Sequence, residues 1–104
     1  MYRPIYLPGF EKRLRQHGNI KDRVEKRVKE ILEAPYDRTE ALQEDLKGLR
    51  SARIGRNFRI IFVISEEIGR IAAARKKFPL YSCQPKDAVI FITISTHEKA
   101  YALR

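Results

Sequence analysis

The sequence predicts an α+β domain in which two N-terminal helices lie on one face of a mostly antiparallel four-stranded sheet. Three observations carry this. An amphipathic helical stripe runs through Ile20, Val24, Val28, Ile31 and Leu32. Two β-branched, apolar runs follow, Phe58–Ser65 and Ala88–Thr96. The order of elements reads β, α, α, β, β, β, which suits one helical layer on one sheet. With 104 residues and 43% hydrophobic content, the chain fills one modest core and is read as a single domain over 1–104.

The first element is Tyr2–Leu7, where Tyr2, Ile5, Tyr6 and Leu7 favour a strand. Pro4 lacks an amide donor and places it at a sheet edge or a strand end. Phe10 and Leu14 sit four apart, so Gly9–His17 reads as a short helix with Gly18 as its C′ residue. Asn19 then caps the main helix, whose apolar positions recur at i, i+4, i+8, i+11 and i+12. Pro35 drives Ala34 out of helical geometry and ends it. Tyr36–Gly48 is polar and reads as a loop with one helical turn at Glu40–Leu46. Leu49–Ile54 is a strand, and Gly55, Arg56 and Asn57 turn it into Phe58–Ser65. That strand is apolar on both faces, so both should be covered. In Ala88–Thr96, one face stays apolar through Ile90, Ile92 and Ile94 while the other turns polar at Thr93, Ser95 and His97. Glu66–Asp87 is long for a hairpin connection, is basic, and has no structure assigned to it.

Charge and composition limit the function classes. There are 22 Lys and Arg against 13 Asp and Glu, a net charge of +9, which points to a polyanion or an acidic partner. One cysteine excludes an internal disulfide framework and a multi-cysteine zinc site, and Cys83 reads as a spectator thiol. No apolar run approaches the ~20 residues that span a bilayer, and MYRPIYLPGF has no signal-peptide core. The expectation is a cytoplasmic protein with no membrane contact, no metal and no cofactor.

The basic residues are not evenly spread. Lys47, Arg50, Arg53, Arg56 and Arg59 fall in one stretch with no acid among them. The turn at Gly55–Asn57 folds Arg50 or Arg53 beside Arg59, and clustered guanidiniums suit a phosphate between them. Arg59 stands inside an otherwise apolar strand, which marks it as the working residue, whereas Arg56 reads as an exposed hairpin tip. His97 follows the last strand, and Tyr101 lies four residues on, so both share one side if the tail is helical. A histidine titrating near neutrality suits proton transfer. His17 is accounted for by its place at a helix C-terminus, and Glu40 alone would be a solvated loop acid.

Leu46–Ile64 (LKGLRSARIGRNFRIIFVI), Val89–Tyr101 (VIFITISTHEKAY) and the helix ending LEAPYD (Leu32–Asp37) together resemble the RelE/ParE toxins of type II toxin–antitoxin systems. The resemblance covers nearly the whole chain except about 66–87, which reads as an unusual insertion. It implies a curved, mostly antiparallel RelE-like sheet. It also implies a metal-independent endoribonuclease cutting mRNA at the ribosomal A site through the adjacent 2′-OH, with an acidic antitoxin as protein partner. By position, Arg59 resembles the family's phosphate-stabilising arginine, His97 its general acid and Tyr101 its active-site aromatic. Arg50 and Arg53 resemble the family's basic second strand, and with Lys47 and Lys99 they are expected to contact RNA phosphates. Glu40, in the TEAL segment, falls where YoeB-like members carry a proposed base. The resemblance leaves open a ParE-like inhibitor of DNA gyrase and an inactive homologue that only binds RNA or an antitoxin.

Overall fold

The computed structural model describes residues 1–82 and 84–96 of the 104. Among the described residues the sheet has five strands: β1 (Arg3–Tyr6), β2 (Glu40–Ala41), β3 (Arg50–Ile54), β4 (Phe58–Ile64) and β5 (Ala88–Thr96). Their order is β1-β5-β4-β3-β2. β1 pairs parallel with β5, and every other pairing is antiparallel. β1 is an edge strand, where Pro4 leaves no ladder bond unmade. The strand beyond the four expected is β2, two residues long on the opposite edge.

Helices α1 (Pro8–Gln16) and α2 (Lys21–Glu33) cover one face of the sheet. Phe10 of α1 and Val24, Val28, Ile31 and Leu32 of α2 pack with Ala52, Ile54, Ile60, Phe62, Ile64, Val89, Phe91 and Ile94. Each fully buried aliphatic side chain on this stripe contributes about 1.5–3 kcal/mol by leaving water. The junction between the helices differs from the sequence expectation. Gly18 is not left-handed, and Asn19 does not cap α2. Gly18–Ile20 form a 3-10 turn that leads into Lys21 with no side-chain cap. Ile20, at this junction, is buried in the core.

The opposite face carries Leu49, Ile61, Val63 and Ile90 and is covered by the segment read as unassigned. That segment forms three short helices, α3 (Ser65–Arg70), α4 (Ala72–Lys77) and α5 (Pro79–Ser82). Ile68 and Ala74 enter the second core, with Ile71, Phe78 and Tyr81 packed against it. Phe58–Ser65 is apolar on both faces for this reason. The helical turn expected over Glu40–Leu46 is instead β2 followed by a 3-10 turn at Glu44–Leu46.

A β-bulge corrects the reading of the last strand. Ile61 pairs with Thr93 and Phe62 with Phe91, which leaves Ile92 without an opposite number. The extra residue inverts the alternation. Ile90 and Ile92 therefore face α3–α5, whereas Ile94 faces α1 and α2. Beyond the bulge, Thr93 and Ser95 lie opposite Ile61 and Arg59. Gly9 of α1 sits over the bulge: a Cβ there would stand 3.2 Å from the Ile92 carbonyl oxygen.

Candidate phosphate-binding site

Arg59 is the centre of the polar part of the sheet. It is 3% exposed, lies in the middle strand, and pairs with Arg53 on one side and Ser95 on the other. Its Nη1 donates to Ser51 Oγ at 3.1 Å and to Glu40 Oε2 at 3.2 Å. Strand geometry explains the grouping. Ser51 and Arg53 are two apart and project to one face. Glu40 pairs with Ser51 across the β2–β3 ladder, which brings its carboxylate over the same face. The Glu40 side chain remains 64% exposed, so this ion pair opens to solvent at its acidic end.

These residues line an open cleft of about 350 Å³ together with Arg27 and Arg38. Arg27 projects from α2, donates Nη2 to the Arg38 carbonyl at 2.7 Å, and lies 3.6 Å from Glu30. Arg38 donates to Glu30 at 2.9 Å and holds a left-handed φ of 55°. A left-handed non-glycine residue costs energy, on the order of 1 kcal/mol, and here it turns the chain between α2 and β2. Thr39, next in line, donates to the Pro35 carbonyl at 2.8 Å and closes that turn. The cleft thus sets four guanidiniums against one carboxylate, a field suited to a phosphate group.

The sequence-derived residues separate on this frame. Arg53, Arg59 and Glu40 come together. Arg50 does not join them: it projects to the other face and is 8% exposed. Its Nη1 donates to Glu67 at 2.8 Å and its Nε to Thr39 Oγ1 at 3.0 Å, and its guanidinium lies 5.2 Å from the Tyr36 ring centre. Arg50 is therefore a tie between β3, the turn before β2, and α3. Lys47 is exposed on the turn before β3, at the strand end away from Arg53. His97, Lys99 and Tyr101 lie outside the described residues, as does Cys83. Sequence reading missed Arg27, Arg38 and Ser51. Ser51 was legible from its two-residue offset to Arg53; Arg27 was hidden among alternating charges of a solvated helix face.

A second polar network secures α3. Tyr2 and Tyr36 both donate their hydroxyls to Glu66, and Arg70 donates to the Tyr36 oxygen at 3.0 Å. The hydrogen bond to Glu66, helped by burial and by the carboxylate's charge, pushes the Tyr2 phenol up to about 12. Among the described residues no helix is long and apolar enough to cross a membrane, and no group of three His, Cys, Asp or Glu side chains is placed to hold a metal.

No protein-family model matches the chain, and no curated protein does. Solved structures do. A chain of a RelBE toxin–antitoxin complex from Mycobacterium tuberculosis superposes with a TM-score of 0.65 at 16% identity, over 92% of this chain and 98% of that one. The chain has a RelE-like fold. The DinJ–YafQ toxin–antitoxin complex of E. coli gives 0.64 at 12% identity, covering 97% and 99%. A YoeB/ParE toxin from Agrobacterium tumefaciens gives 0.63 at 13%, covering 91% and 98%. The RelE-like fold spans nearly all of this chain and of each neighbour.

Proposed function

We propose that the protein is the toxin of a type II toxin–antitoxin system and a metal-independent endoribonuclease that cuts mRNA at the ribosomal A site. The observation that carries this reading is the Glu40–Arg59 pair at 3.2 Å, set in a cleft with three further arginines. The resemblance of the sequence and the likeness of the fold to toxin–antitoxin toxins support it.

The proposed chemistry uses a carboxylate and a guanidinium beside one phosphate. The phosphate takes the Arg59 guanidinium as its counter-ion, and Glu40 is released to accept the proton of the adjacent 2′-OH. The 2′-oxygen attacks phosphorus, and Arg59 with Arg53 balances the charge that grows on the equatorial oxygens. The bond to the 5′-oxygen breaks, and a general acid returns a proton to it. His97 fills that role by resemblance. The products are a 2′,3′-cyclic phosphate and a 5′-hydroxyl, so atoms and protons balance. Ser51 keeps Arg59 in place when Glu40 lets go. The partner that restrains the toxin is an acidic antitoxin, matched to the net charge of +9.

The test is translation in a purified system. The wild-type protein is expected to arrest synthesis and to cut message only on ribosomes. No cleavage by the folded protein together with inhibition of DNA gyrase supercoiling would transfer the protein to the ParE-like reading, and neither activity would leave an inactive homologue that only binds RNA or an antitoxin.

A further inference from the structure

The basic surface does not end at the cleft. A second depression of about 210 Å³ adjoins it, lined by Arg23, Lys26, Arg27, Glu30, Arg53, Ile54 and Gly55. The two depressions share Arg27 and Arg53. Helix α2 supplies three of the second depression's cations. Arg23, Lys26 and Arg27 stand at i, i+3 and i+4 toward this depression. Asp22 and Glu25 line the apolar groove between α1 and α2, where Lys29 and the other side of Lys26 also stand.

The turn shapes the floor. Gly55 holds a left-handed φ of 61°, and a Cβ there would stand 3.1 Å from Arg23 Nη1. The absence of a side chain lets the Arg23 guanidinium lie against the hairpin backbone. Arg23, Lys26 and Arg53 form no ion pair within 4.0 Å with a described residue. Glu30 is already held by Arg38 and Arg27, and Arg38 pulls its carboxyl below the ordinary range. It therefore does little to repel an anion.

We infer that Arg23, Lys26 and Arg53 form a second phosphate subsite, which takes a neighbouring phosphate of the same RNA strand whose scissile phosphate lies at Arg59. Arg53 and Arg27 bridge the two subsites, so a single strand is threaded from the sheet, over the β3–β4 turn, onto α2. This rests on the endoribonuclease reading of the cleft, and it adds where the strand runs. A strand held at two successive phosphates is fixed in direction as well as position, which is what in-line attack by the 2′-oxygen requires.

The experiment uses the full chain and a fluorescently labelled single-stranded RNA of twelve nucleotides, titrated by anisotropy across a range of salt. Three proteins are compared: wild type, Arg23→Glu/Lys26→Glu and Arg59→Gln. The double variant should unfold at the wild-type temperature, since Arg23 and Lys26 are exposed; Arg59→Gln, which loses the bonds of a buried side chain to Glu40 and Ser51, is compared below its own unfolding temperature. Each phosphate contact adds about 0.7 to the slope of log affinity against log salt for a single strand. The double variant is expected to lose about 0.7 of that slope, the share of the one phosphate held there, and on the order of tenfold in affinity at low salt. Binding of a dinucleotide with one phosphate should be unchanged by it. If the double variant keeps the wild-type slope while Arg59→Gln weakens binding, the second subsite is overturned and the cleft reading stands. If neither substitution alters RNA binding, both readings fall. If the double variant loses affinity for an acidic peptide and not for RNA, the surface belongs to a protein partner and the inference is wrong.

Discussion

Arg53 and Arg59 face each other as paired residues of two antiparallel strands. Like charges directly opposite one another in a ladder are destabilising. The sheet tolerates the pair because Arg59 is turned onto Glu40 and Ser51 while Arg53 stays in solvent. An anion between the two guanidiniums relieves what repulsion is left.

Phosphate should therefore stabilise the fold through this pair. At a few times its dissociation constant, a single bound ion contributes on the order of 1 kcal/mol, which is about 4–8 °C in Tm for a domain of this size. Calorimetry with increasing phosphate should show that rise in the wild type. Arg53→Ala should start slightly more stable and respond much less. Equal responses in the two proteins would place the anion elsewhere.

Arg50 should behave as a structural residue despite lying in the basic strand. Its ion pair with Glu67 is nearly buried, the side chains being 10% and 16% exposed. Breaking such a pair costs about 3–5 kcal/mol when fully buried, and about 2–4 kcal/mol is expected here for Arg50→Ala. Denaturant midpoints measure this. Arg50→Lys should recover little, because one ammonium cannot reach both Thr39 and Glu67 in the fork geometry of a guanidinium. A normal midpoint with impaired RNA binding would contradict the assignment.

Gly48 should tolerate no side chain. Its φ is 105°, and a Cβ would stand 2.6 Å from the Cβ of Ala74. This is where α4 seats against the turn before β3. Gly48→Ala is expected to destabilise by about 2–3 kcal/mol, from left-handed strain and overpacking together. Gly69, with open space around it, is the control position at which alanine should be harmless.

The Tyr2–Glu66 bond should appear in alkaline unfolding. The folded state holds the Tyr2 proton up to about 12, against an ordinary value of 10.0. Its contribution is complete below the ordinary value and is lost as pH rises through the folded one. Stability measured by urea midpoint should fall over that window in the wild type. Tyr2→Phe should be less stable near neutrality and flatter across the same range. Tyr2 is only partly buried, so the amplitude should be small.

Much of this fold could be read from periodicity. The α2 stripe, the apolar strands and the β3–β4 turn are local patterns, and each forms where its pattern lies. What could not be read depends on contacts distant in sequence. Glu66–Asp87 carries no clear period because its three helices are short and are held by Ile68 and Ala74 packing on a remote sheet face. The bulge at Ile92 inverts a strand whose own alternation gives no sign of it. In the site, the turn could place Arg50 or Arg53 beside Arg59, and the family resemblance gave both the same role. A five-residue strand instead sends Arg50 and Arg53 to opposite faces. Glu40 was found only through family resemblance, since a two-residue edge strand leaves no pattern.

The most direct measurement is cleavage of a defined mRNA on programmed ribosomes by the wild type, Glu40→Gln and Arg59→Gln, with cut positions and end chemistry determined. The wild type is expected to cut within the A-site codon and leave a 2′,3′-cyclic phosphate and a 5′-hydroxyl. Both variants should fold, with Arg59→Gln slowed by roughly a hundredfold or more, the usual cost of removing a group that stabilises developing charge. Full cleavage by Arg59→Gln, or none by a folded wild type, would contradict the assignment of this cleft.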